Sequence, residues 1–360
     1  MLSWLGLEDF RNFGGGEAGL APGLTLIEGR NGQGKTNLLE AAYVFGTLHP
    51  LRTRSMRVLV RFGAGGFRLQ GEMPGEARRF VLAGDGERRA LFAGTAPVPA
   101  GRWTPATLCP VVFSPEDIAL AAEGGEPRRR YLDRIAATAG PAHGRALAAA
   151  RRIVTQRGQA LATGGGAEPW EEPLAGAYAA VAAGRRAATA ALQSLLPALA
   201  EEFGEPEKPE VLYRPTVPGL GEPMDEADAV RAVRAALAGA RDREARAGLC
   251  LIGPHRDEVE ILLGGRDARA YASRGQQRTL ALALRAAEVE AARGAAGAEP
   301  LLLVDDVLPE LDEERQRRML RRIAAAPQAL MTSAEGRRAL AGIAPARRYR
   351  VEAGRIVSGA

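Results

Sequence analysis

The residues Gly29-Arg30-Asn31-Gly32-Gln33-Gly34-Lys35-Thr36 fit the phosphate-loop pattern G-x-x-x-x-G-K-[ST] at every fixed position. The glycines let the backbone curl so that its N–H groups converge on an anion, and a helix start adds positive potential. Lys35 would reach the outer phosphates of a nucleoside triphosphate such as ATP, the Thr36 hydroxyl would ligate Mg²⁺, and Asn37 follows at the helix start. The chain has two lysines, Lys35 and Lys208, among 48 basic residues. A lysine kept where arginine is otherwise used fits a site that needs a compact ammonium rather than a planar guanidinium.

A second group of reactive side chains lies far along the chain. Leu301-Leu302-Leu303-Val304-Asp305-Asp306 is an apolar run ending in two carboxylates. A buried strand that ends in acid places its carboxylate at the sheet edge where ligands of open α/β folds sit. Asp305 is then the partner of Thr36 for Mg²⁺, and Asp306 can orient or deprotonate an attacking water. Between the two groups, Ser273-Arg274-Gly275-Gln276-Gln277 opens a helix. It reads either as a plain N-cap or as a second anion site. Since the phosphate loop is already complete, such a site makes sense acting on a nucleotide held by another subunit.

These groups need elements to hold them. Leu24 to Glu28 reads as a buried strand, and the run from Thr36 carries apolar residues at helical spacing. Met1 to Phe13 alternates as an opening strand. Phe67 to Phe92 reads as an antiparallel meander with turns at Pro74-Gly75 and Gly84-Asp85-Gly86. The character changes near Gly124-Gly125. From Pro127 to about Arg246 the chain is rich in Ala, Leu and Arg at helical spacing, with expected breaks at Gly164 to Gly166, at Pro197 and between Pro206 and Pro223. Strands are expected again at Leu249 to Ile252, Val259 to Leu263, Leu301 to Val304 and Ala329 to Met331. Helices are expected at Gln276 to Ala292 and Asp312 to Ala325, and a hairpin turn at Ala353-Gly354. This divides the chain into a head, residues 1–125 with 249–360, and a helical arm lobe, residues 126–248.

The 360 residues, 46% hydrophobic and 25% charged, are those of an ordinary globular chain of about two domains. A net charge of +5 permits a polyanionic partner without requiring one. Arg52, Arg54, Arg57 and Arg61 run without an acid between them, which reads as a solvated face or a nucleic-acid contact. Two further stretches contain arginines and no acid: Pro141 to Ala167, with Arg145, Arg151, Arg152 and Arg157, and Leu174 to Ala200, with Arg185 and Arg186. Two distant cysteines, Cys109 and Cys250, exclude a disulfide framework and a cysteine-type zinc site. There is no secretory leader and no apolar run of membrane-spanning length, so a cytoplasmic protein without a membrane partner is expected.

In this order, the motifs resemble the ABC-type ATPases of DNA repair and chromosome maintenance, and more narrowly the RecF family. The resemblance is carried by Phe10-Arg11-Asn12-Phe13, Gly29 to Glu40, Phe113-Ser114-Pro115-Glu116-Asp117, Arg129-Arg130-Tyr131-Leu132-Asp133, Gly253-Pro254-His255-Arg256-Asp257, Ser273 to Leu284, and Leu301 to Asp312. It implies an α/β fold: an ABC-type P-loop ATPase head with an inserted, mainly helical lobe and no long coiled coil. It also implies two ATP molecules sandwiched in an ATP-dependent homodimer. Ser273, Gly275 and Gln276 of one subunit would act in trans on the γ-phosphate held by the other, and Asp312 would sit in the loop linking the two sites. The implied partners are DNA, single-stranded and duplex and at gaps, together with RecR-like and RecO-like mediators. Pro309 stands where the family places a serine, and Thr332-Ser333 stands where transporter ATPases carry a switch histidine. The resemblance thus implies slow, DNA-stimulated hydrolysis used as a switch, in recombinational repair and replication. A transporter ATPase subunit fits less well, because about 235 residues separate the phosphate loop from Ser273. A small-molecule kinase would leave Ser273 to Gln277 idle.

Overall fold

The computed structural model describes residues 1–53, 55–296, 299–336 and 340–358. By packing, the chain forms two compact units, residues 1–116 with 292–360, and residues 117–291.

The first unit is built on two six-stranded sheets. One is mostly parallel and runs in the order Arg355–Ser358, Arg347–Glu352, Gly23–Glu28, Gln328–Ser333, Leu302–Asp305, Val111–Phe113. All neighbours in it are parallel except the C-terminal hairpin. The other is antiparallel, with Phe13–Gly19, Trp4–Phe10, Phe67–Glu72, Phe80–Gly84, Arg89–Ala93 and Ala96–Pro97 in order. The expected meander forms as three of these strands. The helix Lys35–Thr47 is buried almost all round: Leu39, Ala41, Ala42, Val44 and Phe45 are each 0% exposed, in one core with residues of both sheets. A helix buried on nearly every face must be enclosed, which is why two layers are needed to hold the phosphate loop at its start. Trp103 seals this core, donating its indole N–H to the Phe45 carbonyl at 2.7 Å and meeting Phe45 and Phe80 edge-on.

The opening segment is a hairpin rather than one strand. Trp4–Phe10 pairs with the glycine-rich Phe13–Gly19 in a register that sets Leu5 opposite Ala18. Periodicity cannot show a strand made of Gly14-Gly15-Gly16, because pairing partners rather than side chains define it.

The second unit contains the helices Glu126–Thr138, Pro141–Ala162, Glu171–Glu202, Glu226–Ala247 and Arg274–Ala296, the last of which runs on into the first unit. It also holds a three-stranded sheet ordered Arg266–Asp267, Glu258–Leu263, Pro209–Arg214. The longest of these helices has 32 residues and passes straight through Pro197, where a break was expected. A proline inside a helix costs about 3 kcal/mol, but Leu192, Leu196 and Ala200 are each 0% exposed there, and their burial outweighs the penalty. Leu249 to Ile252 is not a strand: the backbone N–H groups of Leu251 and Ile252 donate to the buried Glu244 carboxylate at 2.6 and 3.1 Å. Packing therefore draws its line at residues 117 and 291 rather than at 126 and 248. The strand Glu258–Leu263 pairs with Pro209–Arg214 of the arm, which takes the chain after 249 with it.

Candidate nucleotide site

The phosphate loop follows the strand Gly23–Glu28 and leads into the helix Lys35–Thr47. Gly29, Gly32 and Gly34 have φ of +154°, +78° and +113°, values open to glycine and strained for other residues. A side chain at Gly29 would strike the Val351 carbonyl, and one at Gly34 would strike the Asn12 amide. The loop is clamped from outside as well. Asn12 donates to the Gln33 carbonyl at 3.0 Å and accepts from Asn37 at 2.8 Å. From the C-terminal hairpin, Gly354 N–H donates to the Gln33 carbonyl at 3.0 Å and Ala353 N–H to the Gln33 side chain at 2.7 Å. The sequence marks Asn12 within the Phe10-to-Phe13 segment and a turn at Ala353-Gly354, but gives no sign that either meets the phosphate loop.

Lys35 is buried, and its ammonium donates to the Gly29 and Arg30 carbonyls at 2.8 and 3.3 Å and to Asn31 Oδ1 at 3.4 Å. It is thus held inside the curl where converging N–H groups would meet phosphate. Glu40, 1% exposed, fixes the helix from behind by accepting from Arg11 Nε and Nη2 at 2.7 and 2.9 Å and from the Leu51 N–H at 3.1 Å.

Asp305 ends its strand beside this loop. Thr36 Oγ1 donates to Asp305 Oδ1 at 2.8 Å, and Thr332 Oγ1 donates to the same oxygen at 2.8 Å. Thr332 Oγ1 also accepts the Asp306 backbone N–H at 3.0 Å, so one side chain ties the Asp305 carboxylate to the backbone of the turn that follows it. Burial raises the Asp305 pKa above the ordinary aspartate value, while the bonds from Thr36 and Thr332 and the charge of Arg52 pull it back. Asp306 takes a left-handed φ of +48°, a conformation that aspartate tolerates and that turns the chain sharply at the sheet edge. An open cavity of about 360 Å³ is lined by the loop, Arg52, Pro115, Glu116, Asp305 and Asp306.

A buried carboxylate and a hydroxyl within 2.8 Å of each other are hard oxygen donors suited to Mg²⁺. Among the described residues, no cluster of three or more His, Cys, Asp or Glu side chains could hold a metal. Thr36 and Asp305 would therefore hold the ion together with phosphate oxygens and water, and the ion would supply neutralisation of phosphate charge.

Ser273 caps the helix that starts at Arg274: its Oγ accepts from Gln276 N–H at 3.2 Å, and Gln276 Oε1 accepts from Ser273 N–H at 3.0 Å, a reciprocal capping box. Ser273 and Gly275 are exposed, and Gln276 reaches Glu207 at 3.1 Å. Asp312 caps the helix Glu313–Ala325 through the Arg315 N–H at 2.9 Å, which lowers its pKa.

The candidate DNA contacts separate. Arg52 lies at the nucleotide cavity, paired with Glu116 and Asp305, rather than on an open basic face. Arg57 is exposed, as are Arg151 and Arg152 on the helix Pro141–Ala162. Arg54 lies outside the described residues. Two further arginines of the acid-free stretches are not surface groups at all: Arg157 pairs with Glu244, and Arg185 with Asp133 and Asp257, all buried. His255 sits in a supporting loop, its ring nitrogen 3.4 Å from the Cys250 carbonyl. Cys250 is buried and Cys109 partly so. Among the described residues, no helix is long and apolar enough to cross a membrane.

A phosphate loop joined by Thr36 to a strand-ending aspartate, on a largely parallel sheet, defines an ABC-type P-loop ATPase head. The Smc head domain of Pyrococcus furiosus shares that fold, with a TM-score of 0.54 and 14% identity over 100% of this chain and 96% of its own. No protein-family model matches the chain. A DNA replication and repair protein RecF of Anaeromyxobacter sp. (strain Fw109-5) is 40% identical over 344 residues, covering 92% of each chain. A solved structure described as the recombination mediator protein RecF-ATPrS in the RecFOR pathway superposes with a TM-score of 0.90 and 26% identity, covering 100% of this chain and 98% of that one. The chain belongs to the RecF family.

Proposed function

We propose that this chain is an ATP-driven switch of DNA replication and recombinational repair. ATP with Mg²⁺ closes a homodimer on duplex DNA beside a single-strand gap, and slow, DNA-stimulated hydrolysis reopens it. The observation that carries this reading is the 2.8 Å bond between Thr36 and Asp305, which joins the phosphate loop to a strand 269 residues away. Support comes from the relatives' description as DNA replication and repair proteins and from the solved RecF described with ATPrS.

In this reading Lys35 holds the outer phosphates, Thr36 and Asp305 hold Mg²⁺, and Asp306 orients the attacking water. Ser273, Gly275 and Gln276 engage the γ-phosphate in trans, and the exposure of Ser273 and Gly275 is compatible with that role. Asp312 lies in the loop between the paired sites. Arg57, Arg151 and Arg152 are the phosphate contacts to DNA, joined by Arg52 when it leaves Asp305, so binding weakens steeply with salt and shows little sequence preference. Functionally, the head comprises residues 1–125 and 249–360 and the arm residues 126–248, since the segment at Ser273 serves the nucleotide site. The closed dimer helps RecR-like and RecO-like mediators place recombinase at the gap, in the cytoplasm.

Light scattering with and without ATP–Mg²⁺ and duplex DNA tests this. A monomer that becomes a dimer with ATP, more readily with DNA, supports the switch, provided Ser273→Arg stays monomeric under the same conditions. A protein that stays monomeric throughout would leave Ser273 a helix cap and remove the trans site.

A further inference from the structure

Residues 41–71 contain five arginines and no acid. Within them the chain makes one tight loop whose base is pinned to the end of the strand Trp4–Phe10. Phe10 bridges Val60, Arg11 N–H donates to the Leu59 carbonyl at 2.7 Å, and Arg61 N–H donates to the Asp9 carbonyl at 2.8 Å. Arg61 also pairs with the Asp9 carboxylate at 2.7 Å. The tip is a turn, Arg61 to Ala64, closed by Ala64 N–H on the Arg61 carbonyl at 3.0 Å, with Gly63 at φ +85°. At the second position of that turn stands Phe62, 100% exposed.

A rigid turn that holds a whole aromatic ring in water does nothing for the fold. Side chains added at Gly63 or Gly65 would meet nothing within 4 Å, so bare backbone leaves open space on the C-terminal side of the ring. Arg57, exposed and without an ion pair among the described residues, lies five positions before it, and Val58 is 39% exposed. Of the nearby acids, Asp9 is paired with Arg61 and Glu8 with Arg68, while Asp85 accepts the N–H groups of Glu87 and Arg88 and keeps its charge. What fits a free π-face on a segment that carries five arginines and no acid of its own is a base with its phosphate, because every base has a face to stack and a phosphate to pair. In intact duplex the bases are already stacked on one another, so the ring would have to unstack them to take part.

We propose that Phe62 is a base-stacking residue that reads the unpaired nucleotides of a single-strand gap, with Arg57 holding the adjoining phosphate. This rests on the DNA-binding reading above and deepens it: it names the group that distinguishes a gap from plain duplex.

The test is binding of the full chain with ATP–Mg²⁺ to fluorescent gapped and fully paired duplexes over a salt series, using Phe62→Ala, Phe62→Trp and Arg57→Ala. Phe62→Ala is expected to bind the gapped DNA about tenfold more weakly with the salt slope unchanged, since stacking releases no counterions. The same variant should bind paired duplex as the unaltered protein does, and Phe62→Trp should retain gap binding with its indole fluorescence quenched by the gap. Arg57→Ala should lower the salt slope by about one on both DNAs. A Phe62→Ala protein that binds gapped DNA normally, or that loses both DNAs equally, overturns the proposal while leaving DNA binding itself in place. Failure of the unaltered protein to bind any DNA would overturn both readings. Phe62 has no packing role, so an unchanged melting temperature is expected to separate these outcomes from misfolding.

Discussion

Arg52 Nη2 lies 3.2 Å from Asp305 Oδ2 and 3.2 Å from Glu116 Oε1, so one guanidinium nitrogen bridges two acids at the rim of the nucleotide cavity. The other Asp305 oxygen is taken by Thr36 and Thr332. A buried carboxylate is costly without a compensating charge, and here a half-exposed arginine supplies it.

A metal ion held by Asp305, as proposed above, would compete with Arg52 for that carboxylate. Arg52→Ala is expected to lower the Mg²⁺ concentration for half-maximal nucleotide binding by about threefold, because a half-exposed ion pair contributes at most ~1 kcal/mol. Titration of fluorescent nucleotide binding with Mg²⁺ reads this directly. A raised Mg²⁺ requirement would show that Arg52 serves the nucleotide rather than guarding the acid.

The pH dependence follows from the same acid. Burial raises the Asp305 pKa, so a proton competes with metal at a higher pH than for an ordinary aspartate. Nucleotide–Mg²⁺ affinity should hold at neutral pH and fall on acidification before the usual aspartate value is reached. For the nucleotide-free fold the sign is opposite: the ionised form is penalised above the raised pKa, and that penalty disappears as the pH falls. Asp305→Asn should bind weakly at all pH values without this fall, as measured by calorimetry across pH.

Lys35 is held by the Gly29 and Arg30 carbonyls, a cradle shaped for a compact ammonium. Lys35→Arg is expected to abolish ATP-driven dimerisation while leaving the far-ultraviolet circular dichroism unchanged, since the forked guanidinium does not fit the curl. A variant that still dimerises with ATP would remove the assigned role of Lys35.

In the second unit, Glu288 accepts from Arg134 at 2.8 Å and from Arg285 at 2.6 Å. Burial alone would raise its pKa, but the two arginine charges and their hydrogen bonds hold it at about 2. Its contribution to stability is therefore present above pH 4.5 and lost as the pH falls through about 2. Glu288→Gln should destabilise the protein by about 1–3 kcal/mol at neutral pH, through two weakened charge-assisted hydrogen bonds, since Arg285 keeps its pair with Asp117, and flatten the acid limb. Urea unfolding at several pH values checks both.

Much of this protein was legible in the chain because the governing rules are short-range. Gly29 to Thr36 specifies its own curl through glycine conformations, Leu301 to Val304 declares a buried strand running into acid, and Ser273 declares a helix start. Tertiary structure alone decided which distant groups meet. It placed Asn12 and Gly354 against the phosphate loop, and Arg52 on Asp305 rather than on an open basic face. It also buried Arg157 and Arg185 against Glu244, Asp133 and Asp257, although their own stretches contain no acid. Leu249 to Ile252 reads as a strand, yet Glu244 takes its N–H groups instead. Periodicity and propensity report on neighbours a few residues apart, whereas charge pairing depends on which segments fold together, and only the assembled chain brings those acids within reach.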